Sequence, residues 1–352
     1  MLTDSATPVN DLPLVSICLP TYNGERFVDA ALDSIAAQDY PRIEVIAVDD
    51  GSTDGTADRL RGWCERPLRL VVHRRNRGHN ATWNETVSRS CGAFVKFLHQ
   101  DDELRPDCVT RMVSAIERAP TAGLVFSRRR VVFDDLSQQD ARAWLQLAGR
   151  LDQKFGELAA VNRGPELLAR WAAAGYHENW IGEPSAVMVR RSALAAAGLF
   201  AHDVIQATDM ELWARIMARH DVCFIDDELA LFRVSTPSLS FVNRRTRRAW
   251  LDRLWLFECL THDAETAAML PELGQLLHAE RRQAFRSSLR LGRLRDGSSV
   301  PLRPYLRYAR FRVLTQLGSR RSPYARLPSA AAQRSSSPRR TPPAQGRTPP
   351  AR

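Results

Sequence analysis

No apolar run in these 352 residues approaches the roughly 20 that a bilayer-spanning helix needs, so no membrane span is expected. The N-terminus, MLTDSATPVNDLP, lacks a basic start and an apolar core, which argues against a secretory leader. Cysteine is sparse and scattered. Cys18, Cys64, Cys91, Cys108, Cys223 and Cys259 form no CxxC pair, which removes the usual zinc-ribbon and dithiol patterns. Several sit inside apolar runs, so reduced thiols in a cytoplasmic protein are the expectation. Lysine is nearly missing. Only Lys96 and Lys154 occur, and the positive charge is otherwise arginine.

The formal net charge of +10 is unevenly spread. Residues 1–240 sum to −6 and residues 241–352 to +16. A basic chain invites a nucleic-acid reading. The partition opposes it, because the acidic part carries the motifs. No nucleic-acid partner is expected.

Four apolar runs of strand length come first: Leu14–Leu19, Ile43–Val48, Leu68–His73 and Ala93–Leu98. Runs apolar on both faces suit a parallel sheet covered by helices. Helical patterns lie between them. Phe27, Ala31, Leu32 and Ile35 recur at helical spacing. Ser52, Thr53 and Asp54 offer caps before TADRLRGWC, and Asn80 offers one before ATWNETVSRS. The alternation predicts an α/β fold with a doubly wound, mostly parallel sheet. SRRRVVFDD reads as a strand, and the stretch to residue 175 as helices with loops. A strand and helix follow in GEPSAVMVRRSALAAAGLF. TDMELWARIMARH is an amphipathic helix with Met210, Trp213, Ile216 and Met217 on one face. DVCFID and ELALFRV read as closing strands. The expected organisation is an N-terminal extension (1–12), a catalytic domain (13–240), a helical basic extension (241–318) and a disordered Pro/Ser/Arg tail (319–352). From residue 319 there are eight arginines and no acid, a composition that cannot bury a core.

Ligands of doubly wound sheets bind at the carboxyl ends of strands. The unusual residues gather there. FLHQDDELRP ends a strand in Asp101, Asp102 and Glu103. One reading is a solvated turn capping the next helix, with Pro106 in its first turn. The other is a divalent-metal site, since Mg²⁺ and Mn²⁺ take hard oxygen ligands and substrate phosphates. VDDGSTDGT also reads as a turn, yet its paired acids are more than a turn needs. A carboxylate there could accept from a nucleobase N–H. Asn76, Arg77 and Gly78 could face a phosphate or sugar, or simply form a loop.

Together these stretches resemble glycosyltransferase family 2. The match runs from SICLPTYNGERFVDAALDSIAAQDYPRIEVIAVDDGSTDGT through NRGHNATWN and FLHQDDELRPD to GEPSAVMVRR and ATDMELWARI, in order, over about residues 13–240. The resemblance implies the A-type glycosyltransferase fold. It implies that Asp50, with Asp49, recognises the donor base, and that Pro20 and Tyr22 contact the nucleoside. It places Asp101 near the ribose, Asp102 on a Mg²⁺ or Mn²⁺ ion, and Asp209 as the catalytic base. Relatives often carry Glu-Asp where this chain has Thr208-Asp209, and a histidine where it has Ser235. The Gln-x-x-Arg-Trp motif of processive synthases is absent from this sequence.

The expected function is metal-dependent, inverting sugar transfer from a nucleoside-diphosphate sugar to a hydroxyl of a glycan or lipid-linked glycan. Asp209 opens a helix, where the macrodipole favours a carboxylate and Thr208 can cap. The rivals are a nucleotidyltransferase and an inactive scaffold. The first would want a glycine-rich basic loop after the first strand, and PTYNGERF is a poor one. Retention of Asp50, Asp101, Asp102 and Asp209 argues against the second. In PLRPYLRYARFRVL, Leu302, Tyr305, Leu306, Ala309 and Val313 share one helical face, with Arg303, Arg307 and Arg310 on the other side. That face either packs on the catalytic part or supports a peripheral contact with the inner face of the plasma membrane.

Overall fold

The computed structural model describes residues 9–235, 251–290 and 308–310. Three of the apolar runs become strands buried along their whole length: β1 (Val15–Thr21), β2 (Ile43–Asp49) and β4 (Phe94–Phe97). The fourth, β3 (Leu68–Val72), is the half-buried edge. These strands pair in parallel in the order β3-β2-β1-β4. Helices α1 (Val28–Ala36), α2 (Thr56–Gly62) and α3 (His79–Arg89) make the crossovers. Side chains alternate between two apolar cores. Val15, Ile17 and Leu19 meet α1 on one face, while Cys18, Val95 and Phe97 meet Trp83 and Val87 of α3 on the other.

After β4 come β5 (Glu103–Leu104), α4 (Cys108–Glu117), β6 (Ala122–Asp134), α5 (Gln138–Ala148), β7 (Val161–Asn162) and α6 (Gly164–Ala173). Then follow β8 (Val187–Arg190), α7 (Arg191–Ala197), α8 (Thr208–Met217) and β9 (Asp221–Ser235). β8 runs antiparallel to both β4 and β6, β9 is parallel to β6, and β5 and β7 pair antiparallel with β9. The α/β class holds, with a parallel first half and a mixed second half. A short buried run such as VMVR suits either direction, so its composition does not reveal the reversal.

Two expected caps are different. Asn80 lies inside α3 and donates through Nδ2 to the carbonyls of Ala201 and Val204. Gly78 holds the cap position at φ 100°, in the left-handed region that favours glycine. At α2 the cap position is Gly55, with no side-chain cap bond, and Asp54 just before it accepts from Thr56 N–H at 3.1 Å.

α8 is buried on every side, not on one face. Its outer side is covered by α9 (Asp252–His262), which is followed by α10 (Ala264–Met269) and α11 (Leu273–Arg290). Leu254, Leu256, Phe257 and Leu260 share one core with Trp171 and Trp213. Glu211 and Arg215, both fully buried, answer each other with two hydrogen bonds of 2.7 Å. Arg215 also donates to the carbonyls of Ala197 and Leu199. Glu211→Ala would strand a buried guanidinium. It is expected to cost about 3–5 kcal/mol, read as a lower midpoint in urea unfolding.

Tyr308, which the spacing had left off the apolar face, is buried. Its hydroxyl donates to Glu258 at 2.8 Å and accepts from Arg281, and its ring meets Trp255 edge-on. Ala309 is half-buried and Arg310 exposed. Leu302, Arg303, Tyr305, Leu306, Arg307, Val313 and the tail lie outside the described residues. No described helix is long and apolar enough to cross a membrane.

Candidate active site

The sheet order reverses between β1 and β4, and the carboxyl ends of β1, β2 and β4 open there. The loops at this mouth are tied to one another by side chains. Tyr22, 44% exposed, donates its N–H to Gln100 Oε1 at 2.8 Å. Gln100 returns a bond to Tyr22 O at 3.0 Å. Pro20 is buried within β1, one step from the mouth.

Asp49 is fully buried and accepts from Thr21 Oγ1, Ser52 Oγ and Ser52 N–H. Asp50 is also buried. It accepts from Arg77 N–H at 2.8 Å and Gly78 N–H at 2.9 Å, and His73 Nδ1 lies 2.8 Å away. These two acids therefore build the framing loops and do not stand as free carboxylates. Gly51, at φ 77°, lets the turn pass the Arg75 backbone, which a Cβ would meet at 2.8 Å. The Arg77 guanidinium pairs with Glu85, and Asn76 is exposed.

The acidic strand end divides its three residues. Glu103 pairs with Arg233 at 2.8 Å. Asp102 is fully buried, with both oxygens engaged. Arg233 N–H donates to Oδ1 at 2.9 Å, and Ser185 Oγ donates to Oδ2 at 2.5 Å. Protein donors thus engage both Asp102 oxygens, which speaks against the expectation that it holds the cation. Asp101 differs: among the described residues no other side chain donates to its carboxylate. Burial, reinforced by Asp102, pushes it above the usual carboxylate range. Burial opposes charge on His99. Its contact with Asp102, and the carboxylates of Asp101 and Asp209, raise it overall.

Asp209 stands in the first turn of α8, as expected. Asn179 Nδ2 donates to its Oδ2 at 2.7 Å and Met210 N–H to its Oδ1 at 2.8 Å. Burial drives its pKa up to about 7; the Met210 N–H and His99 lower it in part, while Glu183 adds to the rise. Glu183 is itself neutralised by a two-point bond from Arg129. Thr208 does not cap: the cap position is Ala207, and the Thr208 hydroxyl is buried without a partner among the described residues.

Asn179 lies in the loop of His177, Glu178 and Trp180, and nothing in its type singles it out in the sequence. Its Oδ1 accepts from the N–H groups of Ile181 and Gly182, which turns Nδ2 toward Asp209. His177 lies against Arg253, Glu178 pairs with Lys154, and Trp180 packs on Phe155.

Asp252 was also invisible in the sequence. Buried at the start of α9, it accepts from the N–H groups of Ile205, Gln206 and Ala207, the turn just before Asp209. The C-terminal helices thus hold the entry to α8. Asp252→Ala frees three amides and lets that turn shift. The expected result is a loss of up to about 10²-fold in kcat with donor KM little changed, read from steady-state kinetics.

Comparison with solved structures shows the same fold. TarS of Staphylococcus aureus, solved with UDP-GlcNAc, superposes with TM-score 0.57 at 17% identity, over 87% of this chain and 92% of that one. A mannosyltransferase of Pyrobaculum calidifontis, solved with GDP-Man and Mn²⁺, gives TM-score 0.50 at 22% identity, over 89% and 83%. The fold is that of the A-type glycosyltransferases. Residues 16–169 match the family described as Glycosyl transferase family 2. An uncharacterized protein of Mycobacterium tuberculosis is 35% identical over 241 residues, 68% of this chain and 73% of its own length. The chain belongs to glycosyl transferase family 2 and is a glycosyltransferase. It spans about a third of the length of the next curated relatives it matches.

Proposed function

We propose that this glycosyltransferase transfers its sugar with inversion, from a nucleoside-diphosphate donor to a hydroxyl of a glycan or lipid-linked glycan, with Asp209 as the base. The observation that carries this reading is Asp209 itself. It is a half-buried carboxylate with its pKa raised to about 7, held by Asn179 and set close enough to the acidic strand end to act on His99. A base poised near neutrality takes a proton most effectively. In a direct displacement Asp209 removes the acceptor hydroxyl's proton as the oxygen attacks the anomeric carbon. The bond from that carbon to the diphosphate oxygen breaks, and the diphosphate leaves with the electron pair. The nucleoside-diphosphate sugars and the Mn²⁺ seen with the neighbours support this donor class and a divalent cation.

Mg²⁺ or Mn²⁺ fits the strand end, because the half-buried Asp101 carboxylate has no other side chain donating to it among the described residues. A cation bound there would neutralise the leaving diphosphate, so that no acid is needed to protonate it. The loops held by Asp49 and Asp50, with Tyr22, Asn76 and Arg77, frame the nucleoside side. The Asn179–Gly182 loop, with Trp180, frames the acceptor side.

Protonated Asp209 cannot accept a proton, so transfer should rise with pH up to about 7 and level off above it. Below that point the rate is expected to fall about tenfold per pH unit. A kcat profile between pH 5 and 9 tests this; a rate flat through neutrality would remove Asp209 from the role.

A further inference from the structure

The arrangement around Asp102 says more about its neighbour than about itself. His99 Nδ1 lies 3.1 Å from Asp102 Oδ2 and 3.3 Å from Ser185 Oγ. A carboxylate on Nδ1 holds the proton there and leaves the lone pair on Nε2. The ring cannot easily turn away. It stacks on His79 with centroids 6.0 Å apart and meets Trp83 edge-on at 5.4 Å. The His99 side chain keeps 20% exposure, and no described residue hydrogen-bonds Nε2. Asp101, the one acid of the strand end without another side-chain donor, is two residues away in the same turn, closed by Asp102 N–H to His99 O at 3.2 Å.

We propose that His99 Nε2 and the Asp101 carboxylate ligate the divalent cation, and that Asp102 is a positioning residue that orients His99. The inference rests on the metal-dependent reading above. Carboxylate–histidine–metal relays of this kind fix ring direction and strengthen the nitrogen as a ligand. Among the described residues no three His, Cys, Asp or Glu side chains converge to hold a metal. The remaining ligands therefore come from the diphosphate and water. An imidazole ligand also shifts preference from Mg²⁺ toward transition ions such as Mn²⁺ and Co²⁺.

The test is Mn²⁺ binding to the full chain by electron paramagnetic resonance, with UDP and with GDP, alongside pulsed detection of nitrogen coupling to the ion. The wild type should bind Mn²⁺ with one of the two nucleotides and show imidazole nitrogen coupling. His99→Ala should lose the coupling and at least about tenfold in affinity. His99→Asp should bind Mn²⁺ without the coupling and compete better with Mg²⁺, which separates ligand loss from misfolding. Asp102→Asn should keep the coupling while losing about 10–100-fold in affinity. Mn²⁺ bound without nitrogen coupling in the wild type, or coupling that survives His99→Ala, overturns the His99 assignment and leaves metal dependence standing. Absence of Mn²⁺ binding with either nucleotide overturns metal dependence itself and the assignment with it.

Discussion

Replacing Asp209 with asparagine is expected to cut sugar transfer by roughly 10²–10⁴-fold while leaving donor binding in place. The reasoning is local. Asparagine keeps the size of the side chain and one oxygen acceptor for Asn179 or Met210, so the first turn of α8 has little cause to move. It cannot take a proton at any working pH. The pH-dependent limb of kcat should vanish with the rate, because the group responsible for it is gone. Donor affinity, measured by calorimetry with the nucleotide sugar, should be unchanged. A fall in affinity matching the fall in rate would make Asp209 a binding residue or a structural cap.

Asp101→Asn should produce the other large effect, on the metal. The carboxylate is half-buried beside Asp102, and among the described residues no arginine is paired with its side-chain oxygens. Arg233 reaches only its backbone carbonyl, at 3.1 Å. Without a cation, that charge is repelled by its neighbour. With one, it supplies a hard oxygen ligand. Removing the charge is expected to cost at least about 10²-fold in Mn²⁺ affinity with UDP or GDP present, the upper end of what losing an outer-shell partner costs. Thermal stability should hold or rise, because a like-charge contact with the buried Asp102 disappears. Unchanged Mn²⁺ affinity in Asp101→Asn would exclude this carboxylate as a ligand.

Much of the first half of the molecule was legible because parallel strands advertise themselves. Runs such as IEVIAV have no polar face, so their burial on both sides follows from composition. Direction is not written in such a run, which is why β8 came as an antiparallel strand. The helix α8 misled in a different way. The sequence showed one apolar face, but α9 covers Glu211 and Arg215 as well, and a buried ion pair has the same residue types as an exposed one. At the site, the pattern put Asp101 after a strand and Asp209 in the first turn of a helix, which is where they lie. It could not separate Asp101 from Asp102. That distinction depends on Ser185 and the backbone of Arg233, which arrive from far along the chain. Asn179 and Asp252 were beyond reach for the same reason: each acts through backbone amides whose proximity only the fold creates.

The most direct measurement is of the product nucleotide. The full chain, incubated with UDP-, GDP- and dTDP-sugars and Mn²⁺, should release a nucleoside diphosphate from one donor class, by slow transfer to water where no acceptor is supplied. Chromatography of the nucleotides reads this without knowledge of the acceptor. Release of the diphosphate that depends on Mn²⁺ and is lost in Asp209→Asn is the expected result. Release of a nucleoside monophosphate or of pyrophosphate would mean attack at phosphorus, the chemistry of a nucleotidyltransferase, and diphosphate release undiminished in Asp209→Asn would contradict the role of that residue.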